Sequence, residues 1–282
     1  MNKDEIYNII LKISKENYIS EPFVVGGTPR DIYRGEEDSN PDIDITTNDA
    51  DILRLAILAA DSLKLRFHLF NDGHVSVYVA EPEESYALDF SSNFVSKDAI
   101  AYIDRELRHV ANSPKLYEVY SRDFTMNTLH KRLLSDEIID PTNMGMKDID
   151  NKIIRTVVPP NITFYDDKRR LWRAIRFAAK FNFKIDDKII DYVKSVRDEF
   201  TGEGKWGKAG PGRKVSDQFV STSVGEALKY NPELTMHYIN EMDLLPAVPL
   251  SGRFKEEIIN RKLVNKYLDD VINLSEYELS VL

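Results

Sequence analysis

The sequence predicts an α+β fold, in which an α/β head precedes an all-α region. In the first part of the chain, short apolar runs that end at glycine or turn residues alternate with helical patterns. From Phe164 onward the apolar spacing stays helical, with breaks at residues 202–212 and 246–252. A content of 42% hydrophobic and 30% charged residues in 282 is typical of a soluble chain with a sizeable core. These patterns predict two domains, residues 1–150 and 151–282.

Each element of the head follows from a local pattern. Isoleucines at helical spacing predict the first helix, and Phe23-Val24-Val25 forms a short buried strand that runs into two glycines. Asp49 is the expected cap of a later helix, and Asn71-Asp72-Gly73 is a turn of the hairpin type. In chain order, the predicted elements are a helix over 4–15, a strand over 23–25, a helix over 31–33, a strand over 43–47, a helix over 49–63 and strands over 65–70, 75–80 and 86–90. Together they predict a small mixed sheet with helices.

Residues 91–120 are polar and show no clear period, so they are predicted to form a loop or a mobile insertion.

The composition excludes several classes of protein. The chain has no cysteine, which rules out disulfides, cysteine zinc sites, iron–sulfur clusters and thiol nucleophiles. Apolar runs such as residues 55–60 are far shorter than the ~20 residues of a membrane span. The first residues carry acids where a secretory signal has a basic and then an apolar stretch. We therefore expect a soluble cytoplasmic protein without a membrane partner.

Charge is distributed unevenly along the chain. The net charge is −9, but residues 1–150 hold 16 basic and 28 acidic side chains, whereas residues 152–214 hold 16 basic and 8 acidic ones. An acidic module followed by a basic stretch is expected where acids hold metal ions and bases meet phosphates. Two ordinary solvated surfaces would give the same pattern.

The run Gly26-Gly27-Thr28-Pro29-Arg30-Asp31 directly follows the first strand. Glycines let the backbone approach a phosphate closely, and Arg30 can add a charge-assisted contact. The alternative is a tight turn between a strand and a helix.

Asp42-Ile43-Asp44 lies on the next predicted strand. Because a strand has a period of two, both carboxylates leave the same face while Ile43 points into the core. Two Mg²⁺ ions ~3.5–4 Å apart, holding a nucleoside triphosphate and an attacking hydroxyl, would relieve the repulsion between the acids. Asp89, at the end of a later strand, is a candidate third carboxylate. An exposed strand edge and a turn acceptor are the plain alternatives.

A third run, Ser121 to Asn127, reads SRDFTMN. Arg122 and Asp123 can hold a triphosphate and a ribose hydroxyl, while the alternative is a helix start capped by Ser121.

The fourth run, Asp166-Asp167-Lys168-Arg169-Arg170, is predicted to open a helix that continues through Arg173. With the acids in its first turn, Asp167 and Arg170 are neighbours at i,i+3. Cytosine and adenine each present a donor amine beside an acceptor ring nitrogen, so Asp167 and Arg170 can select C and A over G and U. A surface salt bridge is the alternative.

The order of the motifs resembles the class II tRNA nucleotidyltransferase and bacterial poly(A) polymerase family. The matching runs are VVGGTPRD, DID, SRDFTMN, IDPTNMGMKDIDNKIIRTV and FYDDKRRLWRAIRFAAKFNF. The resemblance covers residues 22–185 and, more faintly, residues 213–245. It implies a polymerase-β-like head, a helical neck and body, and nucleotide addition to an RNA 3′ end without a template.

The resemblance also implies roles for single residues. Asp42 and Asp44 would hold the metal ions, and Asp167 and Arg170, with Arg173 close by, would read the base. The nucleotide contacts would come from Gly26, Gly27, Arg30, Arg122, Asp123 and Asn127. The expected cofactor is Mg²⁺, and the expected partners are ATP, CTP and an RNA 3′ end, most simply that of tRNA.

The chain departs from the family pattern in several places. Pro29 replaces a valine, Ser121 replaces an arginine and Asp166 replaces a glutamate. From the length of the sequence we expect fewer helices after the neck than family members have. Three other functions therefore stay open: a poly(A) polymerase, an enzyme that adds only CC or only A, and a nucleotidyltransferase that modifies a small molecule or a protein.

Overall fold

The computed structural model of the chain describes residues 2–36, 42–69, 75–78, 87–91, 97–111, 113, 115–201 and 215–249. The chain divides into two compact units, Met1–Asp150 and Asn151–Leu282. Of the helices built from described residues, none has the length and apolar character needed to cross a membrane.

The first unit combines a mixed sheet with helices. Its helices and strands are α1 (Lys3–Glu16), β1 (Phe23–Val24), α2 (Gly27–Tyr33), β2 (Ile43–Thr46), α3 (Asp51–Leu63), β3 (Arg66–Leu69), β4 (Val75–Tyr78), β5 (Ala87–Phe90), α4 (Lys97–Glu106), α5 (Arg108–Ala111), α6 (Leu116–Tyr120), β6 (His130–Arg132), β7 (Ile138–Ile139) and α7 (Gly145–Asp150). A capping box starts α1, since the Asn2 and Glu5 side chains each accept from the other residue's backbone N–H.

The sheet of the first unit has the strand order β3-β4-β5-β2-β1-β6-β7. β2 and β5 are parallel, and the other neighbouring strands are antiparallel, as a mixed sheet requires. Apolar side chains of α1, α3, β1, β2 and β5 form its buried core. Burial of these apolar side chains stabilises the sheet in which β2 and β5 lie side by side.

The prediction of a loop over residues 91–120 is wrong. The described residues of this stretch form α4, α5 and α6. In α4 the buried side chains are Ala99 and Ile103, one turn apart, and a single such pair is too brief to reveal a helical period. The predicted turn at residues 71–73 and the predicted break at residues 202–212 lie outside the described residues.

The second unit is largely helical, as predicted, with one short parallel strand pair added. Its elements are β8 (Ile153–Ile154), α8 (Pro160–Asp166), α9 (Arg169–Phe181), β9 (Lys184–Ile185), α10 (Asp187–Ser195), α11 (Asp198–Thr201), α12 (Asp217–Tyr230) and α13 (Pro232–Glu241), with a 3₁₀ turn at Leu245–Ala247. α9 packs against α12 and α13, and Trp172 and Phe177 are buried. The packing of this helix fixes the direction of its exposed basic side.

Candidate active site

The acidic side chains of β2 and β5 lie on one face of the sheet. Asp44 in β2 and Asp89 in β5 are directly paired across parallel strands, so their side chains leave the same face. Asp42 is the residue directly before β2 and is exposed; the alternation of a strand, continued by one residue, places its side chain on the same face. The pairing places the candidate third carboxylate, Asp89, beside the predicted pair.

These carboxylates suit a hard divalent cation. Within the described ranges, no group of three or more acids or histidines is placed to hold a metal ion by itself. Mg²⁺ is commonly held by one or two carboxylates, with water and substrate phosphates supplying the remaining oxygens. A donor set made of Asp42 and Asp44 fits that ion in the presence of a phosphate substrate.

Gly26 lets the turn after β1 approach Asp44. Its φ of +77° lies in the region that favours glycine. A Cβ atom added to Gly26 would overlap Asp44 Oδ2 and lie 3.1 Å from Asp44 Cγ. The Asp44 carboxylate therefore occupies the space that a larger residue at position 26 would need, which joins the glycine motif to the acidic motif.

Arg30 connects the glycine motif, residues 26–31, with the third motif, residues 121–127. Its guanidinium donates to Asp31 from Nε (2.8 Å) and Nη2 (2.9 Å), and to Asn127 Oδ1 from Nη1 (2.8 Å). Asn127 in turn donates to Asp123 Oδ1 at 2.8 Å, and that oxygen also accepts the backbone N–H of Phe124. Arg30, Asp123 and Asn127 are all more than nine-tenths buried, so at least three of the five Arg30 N–H donors serve the protein itself.

The other arginine of the third motif, Arg122, lies next to a buried acid. Its Nη2 is 3.3 Å from Glu118 Oε1, and Glu118 Oε2 accepts the Thr46 hydroxyl at 2.7 Å. Among the described residues, no acceptor is in hydrogen-bonding position for the buried Nε of Arg122. The open alternative of a helix starting at Ser121 is wrong, because Ser121 follows the last residue of α6 and its hydroxyl donates to the Tyr117 carbonyl at 2.6 Å.

Sequence reasoning gave no role to the residues that support the third motif. Residues 125–127 form a 3₁₀ turn, and the Thr125 hydroxyl donates to the buried Asp148 carboxylate at 2.7 Å. A Cβ on Gly145 would lie 2.6 Å from the Thr125 carbonyl oxygen, so only glycine allows α7 to approach this turn. The Asp-Pro-Thr-Asn-Met-Gly run was the signal available for this support, since it has the composition of a structured turn.

A buried histidine lies near Arg122. His130 contacts the Thr128 carbonyl through Nδ1 (2.9 Å) and Asn48 Oδ1 through Nε2 (3.0 Å). Burial, together with the smaller effect of the Arg122 charge, lowers the pKa of His130 to about 3, against a smaller opposing effect of the hydrogen bond to Thr128. His130 is therefore neutral at physiological pH and adds no positive charge beside Arg122.

In the second unit, the prediction that Asp166 and Asp167 lie in the first turn of a helix is wrong. Asp166 is the last residue of α8, Asp167 is extended (φ −151°), and α9 begins at Arg169. The Asp167 carboxylate accepts the backbone N–H of Arg169 at 2.9 Å, so the acid precedes the helix and caps it from outside.

The side chain that pairs with Asp167 is that of Arg169. Arg169 Nε lies 2.9 Å from Asp167 Oδ1, and Nη2 lies 2.8 Å from Oδ2. Arg170 is joined to Asp167 through the backbone, N–H to carbonyl at 3.1 Å, while its Nη1 donates to the Thr163 carbonyl at 3.4 Å. Arg173 stacks over Phe177, with Cζ 5.3 Å from the ring centre. The ion pair of Asp167 is thus with Arg169 and not, as predicted, with Arg170.

Comparison with known proteins gives consistent matches. Residues 22–155 match the family model of the poly A polymerase head domain. The chain is 27% identical over 240 residues to tRNA nucleotidyltransferase cca2 of Schizosaccharomyces pombe. This alignment covers 79% of this chain and 48% of that protein. It is 30% identical over 220 residues to the CCA-adding enzyme of Lactobacillus helveticus, covering 73% and 51%. The chain thus spans about half the length of these curated relatives.

The fold has solved counterparts. The structure of a CCA-adding enzyme in complex with ATP superposes with a TM-score of 0.62 at 22% identity, over 86% of this chain and 51% of that one. At this identity the likeness concerns the fold, namely a polymerase-β-like head with a helical region after it.

Proposed function

Because the chain belongs to the class II family of tRNA nucleotidyltransferases and bacterial poly(A) polymerases, we propose that it adds CMP and AMP, from CTP and ATP, to an RNA 3′ end. The proposed acceptor is tRNA, and the reaction is the addition or repair of its CCA terminus. The observation that carries the proposal is the pairing of Asp44 with Asp89 across two parallel strands, two residues after Asp42.

In this proposal, Asp42 and Asp44 are the catalytic and metal-binding residues, and Asp89 is an additional carboxylate beside them. Bound Mg²⁺ supplies Lewis-acid chemistry, which eases deprotonation of the attacking hydroxyl and stabilises charge on the departing oxygen. The terminal 3′-oxygen of the RNA forms a bond to the α-phosphorus of the nucleotide, the bond to pyrophosphate breaks, and the hydroxyl proton is released. The position of Asp44 over Gly26 keeps one carboxylate fixed while this happens.

The nucleotide is held by the first and third motifs. Gly26 and Gly27 expose backbone next to Asp44, which allows phosphate oxygens to come close. Arg122 offers N–H groups to the triphosphate or the ribose. Arg30 and Asn127, with their partner Asp123, fix the turn in which these contacts are made, as their mutual hydrogen bonds support.

Base selection is assigned to Asp167 and Arg170, with Arg173 near them. A carboxylate has about four acceptor positions, and Arg169 fills three of those of Asp167 with its backbone N–H, Nε and Nη2, which leaves about one for the amine of cytosine or adenine. Arg170 then donates to the ring nitrogen beside that amine. Arg169 holds the carboxylate in place, and this makes it a supporting residue of base selection.

A second candidate function is open-ended or partial addition: a poly(A) tail, CC alone or A alone. It is favoured by the match of the head to the family model of the poly A polymerase head domain. The chemistry at Asp42 and Asp44 would be the same, and only the point at which addition stops would differ.

The experiment is a nucleotide-addition assay with the whole chain. Three tRNA transcripts are used, which lack the CCA end, end in C, or end in CC. Each is offered one labelled nucleotide at a time with Mg²⁺, and the products are resolved to single nucleotides. Addition of C to the first two ends and of A only after CC, stopping at CCA, supports the proposal. Open-ended A tails or CC-only products favour the second candidate, and no transfer to any RNA contradicts both.

A further inference from the structure

Glu118 is a buried acid for which the proposed reaction has so far no use. Its side chain is only 6% exposed in the short helix α6. Burying an ionised carboxylate costs several kcal/mol unless charged or hydrogen-bonding groups satisfy it. Its two oxygens meet such groups on two separate elements, Arg122 after α6 and Thr46 at the end of β2.

The contact with Thr46 places Glu118 at the acidic face of β2. Thr46 follows Asp44 by two residues, so the two side chains belong to the same face of the strand. The Thr46 oxygen accepts the backbone N–H of Asn48 at 3.0 Å and donates its single proton to Glu118 Oε2 at 2.7 Å. These bonds fix the Glu118 carboxylate relative to the strand that carries Asp44.

The contact with Arg122 uses the other oxygen. Arg122 is 18% exposed, and its terminal Nη2 lies 3.3 Å from Glu118 Oε1. Arginine has a long side chain with many rotamers, and holding it in one geometry requires an anchor. Glu118 provides the anchor at one end of the guanidinium and neutralises it when no phosphate is bound.

We propose that Glu118 is a positioning residue that holds the Arg122 guanidinium at the acidic face of β2, where it meets the triphosphate or ribose of the incoming nucleotide. This inference rests on the proposed function, because it takes Arg122 as a nucleotide contact. Glu118 itself does not touch the nucleotide, so its effect on binding passes through Arg122.

A double-mutant cycle tests the inference with a binding readout. The dissociation constant of labelled ATP with Mg²⁺ is measured by equilibrium dialysis for wild type, Glu118→Gln, Arg122→Ala and the double variant. Glu118→Gln keeps the side-chain shape and removes the charge, and we expect about tenfold weaker binding from the lost charge-assisted anchor. In the Arg122→Ala background the same change should weaken binding less than twofold, because the residue that it acts through is gone.

A purely structural role for Glu118 gives a different result. Equal weakening by Glu118→Gln in both backgrounds overturns the positioning role, and so does wild-type protein that binds no ATP. Thr46→Val is the second variant, since it removes a hydrogen bond from the same carboxylate and leaves the contact with Arg122. We expect Thr46→Val to weaken ATP binding less than Glu118→Gln does, because the contact with Arg122 remains, and we expect this weakening to disappear in the Arg122→Ala background. Weakening by Thr46→Val that persists in the Arg122→Ala background would also overturn the proposal.

The cycle is separate from the test of the proposed function. Coupled ATP binding without transfer to any RNA would leave the positioning of Arg122 intact and refute nucleotide addition. Transfer by wild type together with an additive cycle would refute the positioning role alone. Urea unfolding of all the variants confirms that each binding constant refers to folded protein.

Discussion

Replacing Gly26 by alanine tests whether the close approach to Asp44 matters for activity. Gly26 has φ +77°, and the space beside its Cα is filled by the Asp44 carboxylate. An added methyl group would overlap Asp44 Oδ2, so the carboxylate or the turn has to move. We expect Gly26→Ala to fold and to lose most of its transfer activity.

Two separate costs set the expected magnitude. A non-glycine residue with the backbone angles of Gly26 (φ +77°, ψ −132°) costs about 1–3 kcal/mol of folding free energy. Relief of the overlap displaces the carboxylate by roughly 1 Å, and a displacement of that size near the reacting atoms lowers the rate about 10²-fold. In activation free energy this is about 2.7 kcal/mol.

Gly35→Ala is the control for a positive φ without a contact at the added methyl group. Gly35 has φ +78°, and a Cβ there would meet nothing within 4 Å. Both variants are compared with wild type by urea unfolding and by single-turnover transfer of labelled CMP to a tRNA transcript. We expect a larger loss of stability for Gly26→Ala than for Gly35→Ala, an activity of Gly35→Ala within about twofold of wild type, and about 1% of wild-type activity for Gly26→Ala.

Retention of full activity by a folded Gly26→Ala variant would refute this reasoning. In that case the position of the Asp44 carboxylate in the structure would not be the one that the reaction needs. Equal loss of activity in both alanine variants would assign the effect to the backbone conformation instead of the contact.

Three further predictions concern single side chains. Asp42→Asn should lower the rate of nucleotide transfer at least about 10³-fold without changing the free energy of unfolding, since one carboxylate of the metal-binding pair loses its charge. Asp136→Asn, at an exposed position, is the control. An active Asp42→Asn protein contradicts the metal assignment. Asp167→Ala should reduce the preference for CTP and ATP over GTP and UTP in competition assays more than it reduces the CMP transfer rate. Arg169→Ala should have a smaller effect of the same kind. If Asp167→Ala keeps the full preference, other residues select the base. The pKa of His130 is about 3 in the folded state, below the ordinary 6.5, so the unfolded state binds more protons between these two values. The free energy of unfolding should therefore fall as the pH decreases, by about 2 kcal/mol at pH 5. Urea unfolding from pH 7 to pH 5 should show this loss in wild type and less of it in His130→Gln, and equal pH dependence of the two proteins contradicts the prediction.

The local patterns in the head predict most of its sheet but not the contacts between its motifs. The strand before Gly26 is a short apolar run that ends at glycine, and the strand at residues 43–47 starts with alternating apolar and polar residues; the structure places β1 and β2 there. The hydrogen bond from Arg30 to Asn127 joins residues 97 positions apart. A pattern read in a window of some fifteen residues contains no information on such a pair.

Two errors have a common physical origin. An acid at the start of a helix stabilises it either inside the first turn or just before it, because both positions place a carboxylate near free backbone N–H groups. The sequence around Asp167 is compatible with both, and the preceding helix α8, which starts at Pro160, takes the residues up to Asp166. The misplaced helix start then predicted a side-chain pair with Arg170, where the structure has one with Arg169.

The buried hydrogen bonds of the motifs change what a loss of activity means. Removing the Arg30 side chain leaves the buried Asn127 oxygen without this donor and takes one of two arginines away from the half-buried Asp31 carboxylate. An unpaired buried acceptor costs about 1–3 kcal/mol. An inactive Arg30→Ala protein could therefore have lost the turn of the third motif, a ligand contact, or both. Asp42 is exposed, so the same ambiguity does not attach to its replacement by asparagine. For this reason the chemistry is best tested at Asp42, and the arginines are best tested in pairs with the acids that hold them.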